Sequence, residues 1–314
     1  METLTIKLTQ DFDTLIDKFC KDCKLRGLAK ESIKRYRSSI KRYANYFDHA
    51  NLINLDMQML EEFLGHLKFE RKNKHKTIEN NFSALSALYD YLVYKGFTGS
   101  NLVLPFRKRY LKMYKSESFD SRRKLLTVEE MSQLVNSMLD PRDKAVALVL
   151  AKTGVRRGEL LKMDIDDVNW INYSILLKPT PKRSNRLVYF DNECALVLKR
   201  WLNVRDKLNP TTKALFVSYQ TLNRLSRNAA YQSVVKYAKR LGFHNSSSLE
   251  LEDHFGPHCF RHWFTTHLLR NDMSREYVKE LRGDRRREAI DIYHHIDHEE
   301  LRRAYLACIP KLGI

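Results

Sequence analysis

The chain has 314 residues, enough for two domains with a core in each. Lys and Arg number 56 against 38 Asp and Glu, a net charge of +18, which favours a polyanionic partner and puts nucleic acid ahead of an anionic membrane. No apolar run approaches the roughly 20 residues of a membrane span. The opening METLTIKLTQDFDTL lacks the basic-then-apolar order of a secretion signal. The five scattered cysteines (20, 23, 194, 259 and 308) fit a reducing cytosol rather than a disulfide framework, so a cytoplasmic, DNA-associated protein is expected.

After a short N-terminal stretch, Phe12, Leu15, Ile16 and Phe19 recur at helix spacing, and Gly27 ends that helix. A second helix is predicted over Ser32–Phe47, with Ile33, Tyr36, Ile40, Tyr43 and Phe47 inside and Lys34, Arg35, Lys41 and Arg42 outside. Met57–Leu67 and Thr77–Tyr94 give a third and a fourth, the last stopped by Gly96 and Gly99. Residues 1–105 thus read as a small all-α domain with basic outer faces. Residues 106–126, FRKRYLKMYKSESFDSRRKLL, lack clean periodicity. Eight basic and two acidic residues between Arg107 and Lys124 make this a solvated linker, suited to lie along a phosphate backbone while two domains grip a duplex.

The second domain, 127–314, opens on Thr127 and Glu130 at capping-box spacing. An apolar helix follows from Arg142 to Lys152, broken by Thr153-Gly154, and another begins over Gly158–Met163. Ser174–Leu177 and Arg186–Phe190 read as two strands joined by KPTPKRSN. Further helices are predicted over Cys194–Leu208, Asn223–Leu241, Phe260–Arg270 and Arg275–Leu281. A short amphipathic one, Glu299–Cys308, has Leu301, Tyr305 and Cys308 on one side.

Three stretches carry chemistry. TGVRRGEL sets Arg156 behind a glycine turn at the mouth of a helix. GPHCFRHWFTTHLL sets His258 and Arg261 one helical turn apart. EAIDIYHHID presents Tyr293 among charged and His neighbours. A phosphodiester needs such a set: guanidinium groups to hold its non-bridging oxygens, a proton carrier and an attacking hydroxyl. Tyr293 must lose its proton as it attacks, and His258 or a positioned water is the acceptor. The chemistry requires no metal and no cofactor.

In order and spacing these stretches resemble the tyrosine recombinases, the family of phage integrases and Xer proteins, from about Asp11 to the C-terminus. TGVRRGEL resembles the family's first arginine box, T-G-x-R-x-x-E-L, which implies that Arg156 is catalytic. HCFRHWFTTHLL resembles the H-x-x-R box and implies the same of His258 and Arg261. The hairpin around PKRSNRLVYF resembles the one that carries the catalytic lysine; Lys182 fits best, with Lys178 in the same hairpin. Tyr293 fits the nucleophile. KTIENNFSALSALYDYLV resembles the last helix of the family's SAM-like core-binding domain. The implied fold is mainly α with a small antiparallel sheet: a four-helix SAM-like domain followed by a catalytic domain. The implied activity is DNA strand transfer through a 3′-phosphotyrosine, with Lys182 protonating the leaving 5′ oxygen. The implied partners are double-stranded DNA and further copies of the chain in a tetramer, the C-terminal helix docking on a neighbour; no membrane is involved.

One position departs from that family. Nine residues before the tyrosine, where histidine or tryptophan is usual, stands Asp284. An ionised Asp repels phosphate and is no replacement donor; it pairs with Arg261, Arg282 or Arg285 or turns away, and His294 is a second candidate for the donor. His254, His258 and His262 have metal-ligand spacing, but Gly256-Pro257 interrupts it, so a metal is not expected. Cys20 and Cys23 lack a second pair and read as core, and Arg157 reads as a surface or DNA-facing charge. PHCFRHW and LRGD…EAIDIYHHI look like archaeal integrases, which favours the integration or excision of a viral or plasmid element over an Xer-like dimer resolvase. From other classes, a DNA-binding regulator without chemistry and a type IB topoisomerase-like enzyme stand as rivals.

Overall fold

Apolar side chains at helix spacing give α1 (Phe12–Leu25) and α2 (Lys30–Tyr46) in the computed structural model of the chain. The structure describes residues 12–47, 55–112, 124–179, 186–248, 250–284 and 296–314. The chain divides into two compact units, Met1–Phe119 and Asp120–Ile314.

In the first unit α3 (Met57–Gly65) starts at Asp56, whose carboxylate accepts the Met59 amide (2.8 Å), and runs into a π-helical turn, His66–Glu70. α4 (His75–Tyr94) lies against α2. The core is aromatic: Phe63 meets Tyr43 edge-on at 5.0 Å, and Phe82 stacks on Phe106 at 5.2 Å. Cys20 and Cys23 are buried within it.

The expectation of an aperiodic linker from Phe106 is corrected here. Val103–Tyr110 forms a fifth helix, α5, with Val103 and Phe106 buried against the first unit. Asn101 fixes its start, accepting the Val103 amide (3.0 Å) while donating to Ser86 O (2.9 Å). Two buried positions in so short and basic a segment are too few to show a period. The rest of the basic stretch, residues 113–123, lies outside the described residues.

The second unit is built around α7 (Pro141–Thr153), whose residues Ala145 to Ala151 are all at most 1% exposed. A helix apolar all round must be covered all round, and α9 (Asn192–Leu208), α10 (Arg227–Arg240) and α11 (Pro257–Arg270) pack on it. Before it, α6 (Val128–Asn136) begins with the capping box: the Glu130 amide donates to Thr127 Oγ1 (3.1 Å) and the Thr127 amide to Glu130 Oε2 (2.8 Å).

After α7 the chain reverses at Gly154, with φ +60°. A Cβ there would lie 2.3 Å from the Phe264 ring, so the turn needs glycine both for its conformation and for its closeness to α11. α8 (Arg157–Leu160) is shorter than the helix expected over Gly158–Met163. The sheet is antiparallel in the order β1 (Val168–Asn169), β2 (Ser174–Leu177), β3 (Arg186–Tyr189), with Ser174 opposite Tyr189 and Leu177 opposite Arg186. The two-residue β1 has no alternation to read and was not expected. α10 begins later than Asn223 because Ser226 caps it, accepting the Ala229 amide (3.1 Å). α12 (Arg275–Arg282) ends at Gly283, φ +59°.

The C-terminal helix α13 (His298–Cys308) is capped by Asp297. Its apolar side packs within this unit. Leu301 and Tyr305 are fully buried beside Tyr189, Phe264 and Leu268, and Tyr305 Oη donates to Lys152 O (2.8 Å). The hydrophobic pattern was read correctly, but amphipathicity alone does not say which surface it covers.

Candidate active site

Three elements of the second unit converge on one point. Arg156 stands between the Gly154 turn and α8, half-buried; its amide donates to Glu159 Oε2 (2.7 Å), so the box's own glutamate fixes the backbone from which the guanidinium projects. Arg261 stands on the buried side of α11, 4% exposed. Its Nη1 donates to Gly154 O (2.8 Å), which ties the two arginine boxes together, and its Nη2 donates to Arg282 O (2.8 Å). Arg156 Nη1 donates to the same Arg282 carbonyl (3.3 Å).

The aspartate at the departing position lies between them. Asp284 Oδ1 is 3.3 Å from Arg261 Nη2 and 3.8 Å from Arg156 Nη2, and Oδ2 is 3.0 Å from Arg282 Nε. Of the two expectations for Asp284, pairing and turning away, the structure has pairing. One carboxylate oxygen occupies the kind of place that a non-bridging phosphate oxygen takes between two guanidiniums. Burial, then the charges of Arg156 and Arg282, push the Arg261 guanidinium down to about 9. Burial likewise holds Arg156 below the ordinary arginine range. Both stay protonated at neutral pH, cations buried or half-buried beside other cations, a setting that suits a bound phosphodiester.

Asp284→Asn keeps an oxygen for Arg261 and removes the charge. A unit charge about 6 Å from a phosphate costs roughly 3 kcal/mol at an effective dielectric of about 20, before screening. The variant is expected to bind site DNA about tenfold tighter or more at low salt in a direct titration; equal affinity would mean the carboxylate swings clear of bound DNA.

His258 is exposed on α11, one turn before Arg261, with its ring 5.5 Å from that of His262 and nearly perpendicular to it. The other histidines nearby serve the backbone: His254 Nε2 pairs with Ser248 O (2.8 Å) and His244 Nδ1 with Phe255 O (2.8 Å). Among the described residues no three His, Cys, Asp or Glu side chains are grouped to hold a metal. Lys178 is committed to the carboxylates of Asp164 and Asp167. Burial pulls its ammonium down, but the two aspartates outweigh it and hold it above the ordinary lysine range, a poor setting for a proton donor. Lys182, Tyr293 and His294 lie outside the described residues.

The residue that sequence reasoning missed is Arg186 on β3, which is buried and forks onto Glu159 (3.0 and 3.1 Å). Burial pulls the Glu159 carboxyl up, but the Arg186 hydrogen bond and charge outweigh it and hold it below the usual carboxylate range. A charged residue on a strand is read as exposed by default, and only the glutamate of the arginine box hinted at a partner.

The first unit carries a second charged surface. Lys34, Arg37, Lys41 and Arg42 of α2, with His66 of the π turn and Arg71 just after it, line a groove of about 760 Å³. Of the four outer residues singled out in the sequence, Arg35 alone is not in it and donates to Ser32 Oγ (3.4 Å) instead. Arg37 pairs with Asp17, and Lys41 with Asp13, whereas Lys34 and Arg71 have no carboxylate partner among the described residues. Changing Lys34 and Arg71 to glutamine is expected to lower DNA affinity for every sequence. The slope of log affinity against log salt should flatten by about 0.9 for each phosphate no longer neutralised. An unchanged slope would show that the groove does not touch the backbone.

Two family descriptions match the chain. That of the N-terminal SAM-like domain of phage integrases covers residues 15–97, and that of the phage integrase family covers 124–300. Among curated relatives, tyrosine recombinase XerC of Vibrio cholerae serotype O1 is 26% identical over 298 residues, 91% of this chain and 89% of the relative. Tyrosine recombinase XerD of Staphylococcus epidermidis is 24% identical over 314 residues, 95% of this chain and 99% of the relative. The fold is similar to that of a lambda integrase (75–356) dimer bound to a COC′ core site, with a TM-score of 0.66 and 17% identity over 91% of this chain and 99% of that one. It is also similar to the XerH site-specific recombinase bound to a palindromic difH substrate, with a TM-score of 0.64 and 22% identity over 92% of this chain and 82% of that one. With a family description matching more than half of its length over the unit that holds the arginine pair, the chain belongs to the phage integrase family.

Proposed function

We infer that the chain is a site-specific tyrosine recombinase, a DNA strand transferase, and we propose that it integrates or excises a mobile element of a virus or plasmid. The observation that carries the chemistry is the convergence of Arg156 and Arg261 on one carbonyl and on the same Asp284 oxygen. Two forked cations held that way grip the non-bridging oxygens of one phosphodiester and stabilise the charge that builds at phosphorus.

In the proposed reaction the Tyr293 hydroxyl attacks phosphorus and loses its proton to His258 or to a water held there. The bond from phosphorus to the 5′ oxygen breaks, and that oxygen takes a proton from Lys182. The product is a 3′-phosphotyrosine, which conserves the ester. A 5′ hydroxyl from another strand attacks it, restores the phosphodiester and returns the tyrosine. Neither a metal nor a high-energy cofactor enters the balance. Asp284 orients the arginines in the DNA-free protein. The proposed assembly is a tetramer on DNA, as in the lambda integrase tetramer bound to a Holliday junction, and the proposed setting is the cytoplasm.

The reading is tested on a supercoiled plasmid carrying two copies of the site that the protein selects from DNA flanking its own gene. Deletion or inversion of the intervening segment is expected from wild type and is absent from Tyr293→Phe. Relaxation of supercoils with no recombinant product would overturn it in favour of a topoisomerase, and binding with no cleavage in favour of a regulator.

A further inference from the structure

Arg186 has no place in the reaction as written, yet its side chain meets two of the three segments that build the site. It forks onto Glu159, with Nη1 3.1 Å from Oε1 and Nη2 3.0 Å from Oε2. The same Glu159 Oε2 accepts the Arg156 amide at 2.7 Å. On its other edge, Arg186 Nε donates to Leu281 O at 3.1 Å, next to the carbonyl of Arg282 on which Arg156 and Arg261 converge. Gly283 closes the turn with φ +59°, and a Cβ there would come within 2.8 Å of Arg186 Cδ, Nε and Nη1. The side chain thus fills the space under the turn.

We propose that Arg186 is a positioning residue that locks the first arginine box, the third strand and the Leu281–Asp284 turn into one register, through Glu159 on one side and Leu281 O on the other. The proposal rests on the reading of this site as the phosphate-binding centre. Its physical content is that all three nitrogens of one planar group are used, in directions set by the fork, so that neither Arg156 nor Asp284 moves without breaking a buried, charge-assisted bond. Lysine keeps the charge and loses the geometry. β3 is also the outgoing strand of the hairpin that holds Lys182 in the sequence, so the lock ties that hairpin to the arginines.

The test separates positioning from bulk stability. Arg186→Ala leaves Glu159 buried without its partner and risks unfolding. The informative variant is therefore Arg186→Met with Glu159→Gln: it removes both charges, keeps their volume and leaves an oxygen for the Arg156 amide. Three quantities are measured: thermal unfolding, site-DNA affinity, and amide exchange at Gly283 and Asp284, which donate to Glu280 O and Lys279 O. Single-turnover cleavage is measured beside them. With the fold intact, exchange at Gly283 and Asp284 is expected to quicken by about tenfold or more while the α7 amides stay protected. Cleavage is expected to fall roughly a hundredfold, the usual effect of a catalytic group displaced by about 1 Å, with DNA affinity within about threefold of wild type. Arg186→Lys is expected to show the same exchange and the same cleavage defect. Wild-type exchange at the turn, or rescue by lysine, would overturn the proposal. If wild type itself forms no DNA adduct, the reading of the site fails, and the exchange measurement still decides whether the lock exists.

Discussion

Replacement of Arg261 by alanine is expected to lower strand cleavage by about a hundredfold or more, the scale for removing one donor aimed at developing charge in a closed site. Arg261 spends one guanidinium nitrogen on Gly154 O and the other on Arg282 O and Asp284. It therefore holds the site together as well as serving it. Alanine leaves the Gly154 carbonyl without this donor and takes from the Arg282 carbonyl the shorter of its two guanidinium bonds, and the turn that presents Arg156 loses its tie to α11. Arg261→Lys is expected to recover little, because a point charge does not span two directions. Single-turnover rates with DNA in excess check this, read beside affinity. A loss smaller than about tenfold would mean that Arg261 is chiefly structural.

The largest effect on stability is expected at Lys152, the last charged residue of α7 and fully buried. Its ammonium meets Asp191 Oδ2 (2.8 Å), Glu193 Oε2 (2.5 Å) and Pro310 O (2.7 Å). Glu193 in turn accepts the Leu312, Gly313 and Ile314 amides at its Oε1 (3.0, 2.7 and 3.3 Å), so one buried cation fastens the end of α7, the start of α9 and the C-terminal tail. Lys152→Met removes the main partner of a buried Asp191, and breaking such a pair from one side costs about 3–5 kcal/mol. For a domain of this size the midpoint should fall by roughly 6–20 °C. Lys152→Met with Asp191→Asn is expected to recover part of the loss, since the fully buried carboxylate is then neutral and Glu193 keeps the tail amides. Urea or thermal unfolding measures both, and a cost under about 1 kcal/mol would show the cluster to be wet and loosely held.

The acid side of the same cluster has a definite sign. Burial pulls the Glu193 carboxyl up, but Lys152 and the tail amides outweigh it and hold it below the usual range. A depressed carboxyl contributes stability that is present above its unfolded value, about 4.3, and is lost as pH falls through the folded one. Tail release on acidification is therefore expected only as pH falls below the ordinary carboxylate range, and Glu193→Gln is expected to remove that step.

How much of this was legible in the sequence depended on the kind of signal. The apolar periods of α1, α2, α4 and α9 stand out because one face of each meets a core. The Thr127–Glu130 cap follows from local chemistry that needs no tertiary partner, and a glycine after Thr153 marks a break whatever packs on it. The arginine boxes were legible through their resemblance to the family's motifs. What stayed hidden was set by partners distant in the chain. α5 was masked by its own charges. Arg186 and Lys152 are cations whose burial is explained only by carboxylates 27 and 39 residues away. Asp284 was recognised as the departing position, but that one of its oxygens sits between two guanidiniums depended on how α11 and α12 pack.

The converging arginines are proposed to serve a phosphodiester attacked by Tyr293. A site-DNA duplex nicked so that the short fragment bearing the new 5′ hydroxyl diffuses away after cleavage traps any protein–DNA adduct for mass mapping. An adduct on the 3′ phosphate, within the peptide that contains Tyr293, is expected from wild type and not from Tyr293→Phe. An adduct mapped to another residue, or one formed equally by Tyr293→Phe, would contradict that proposal.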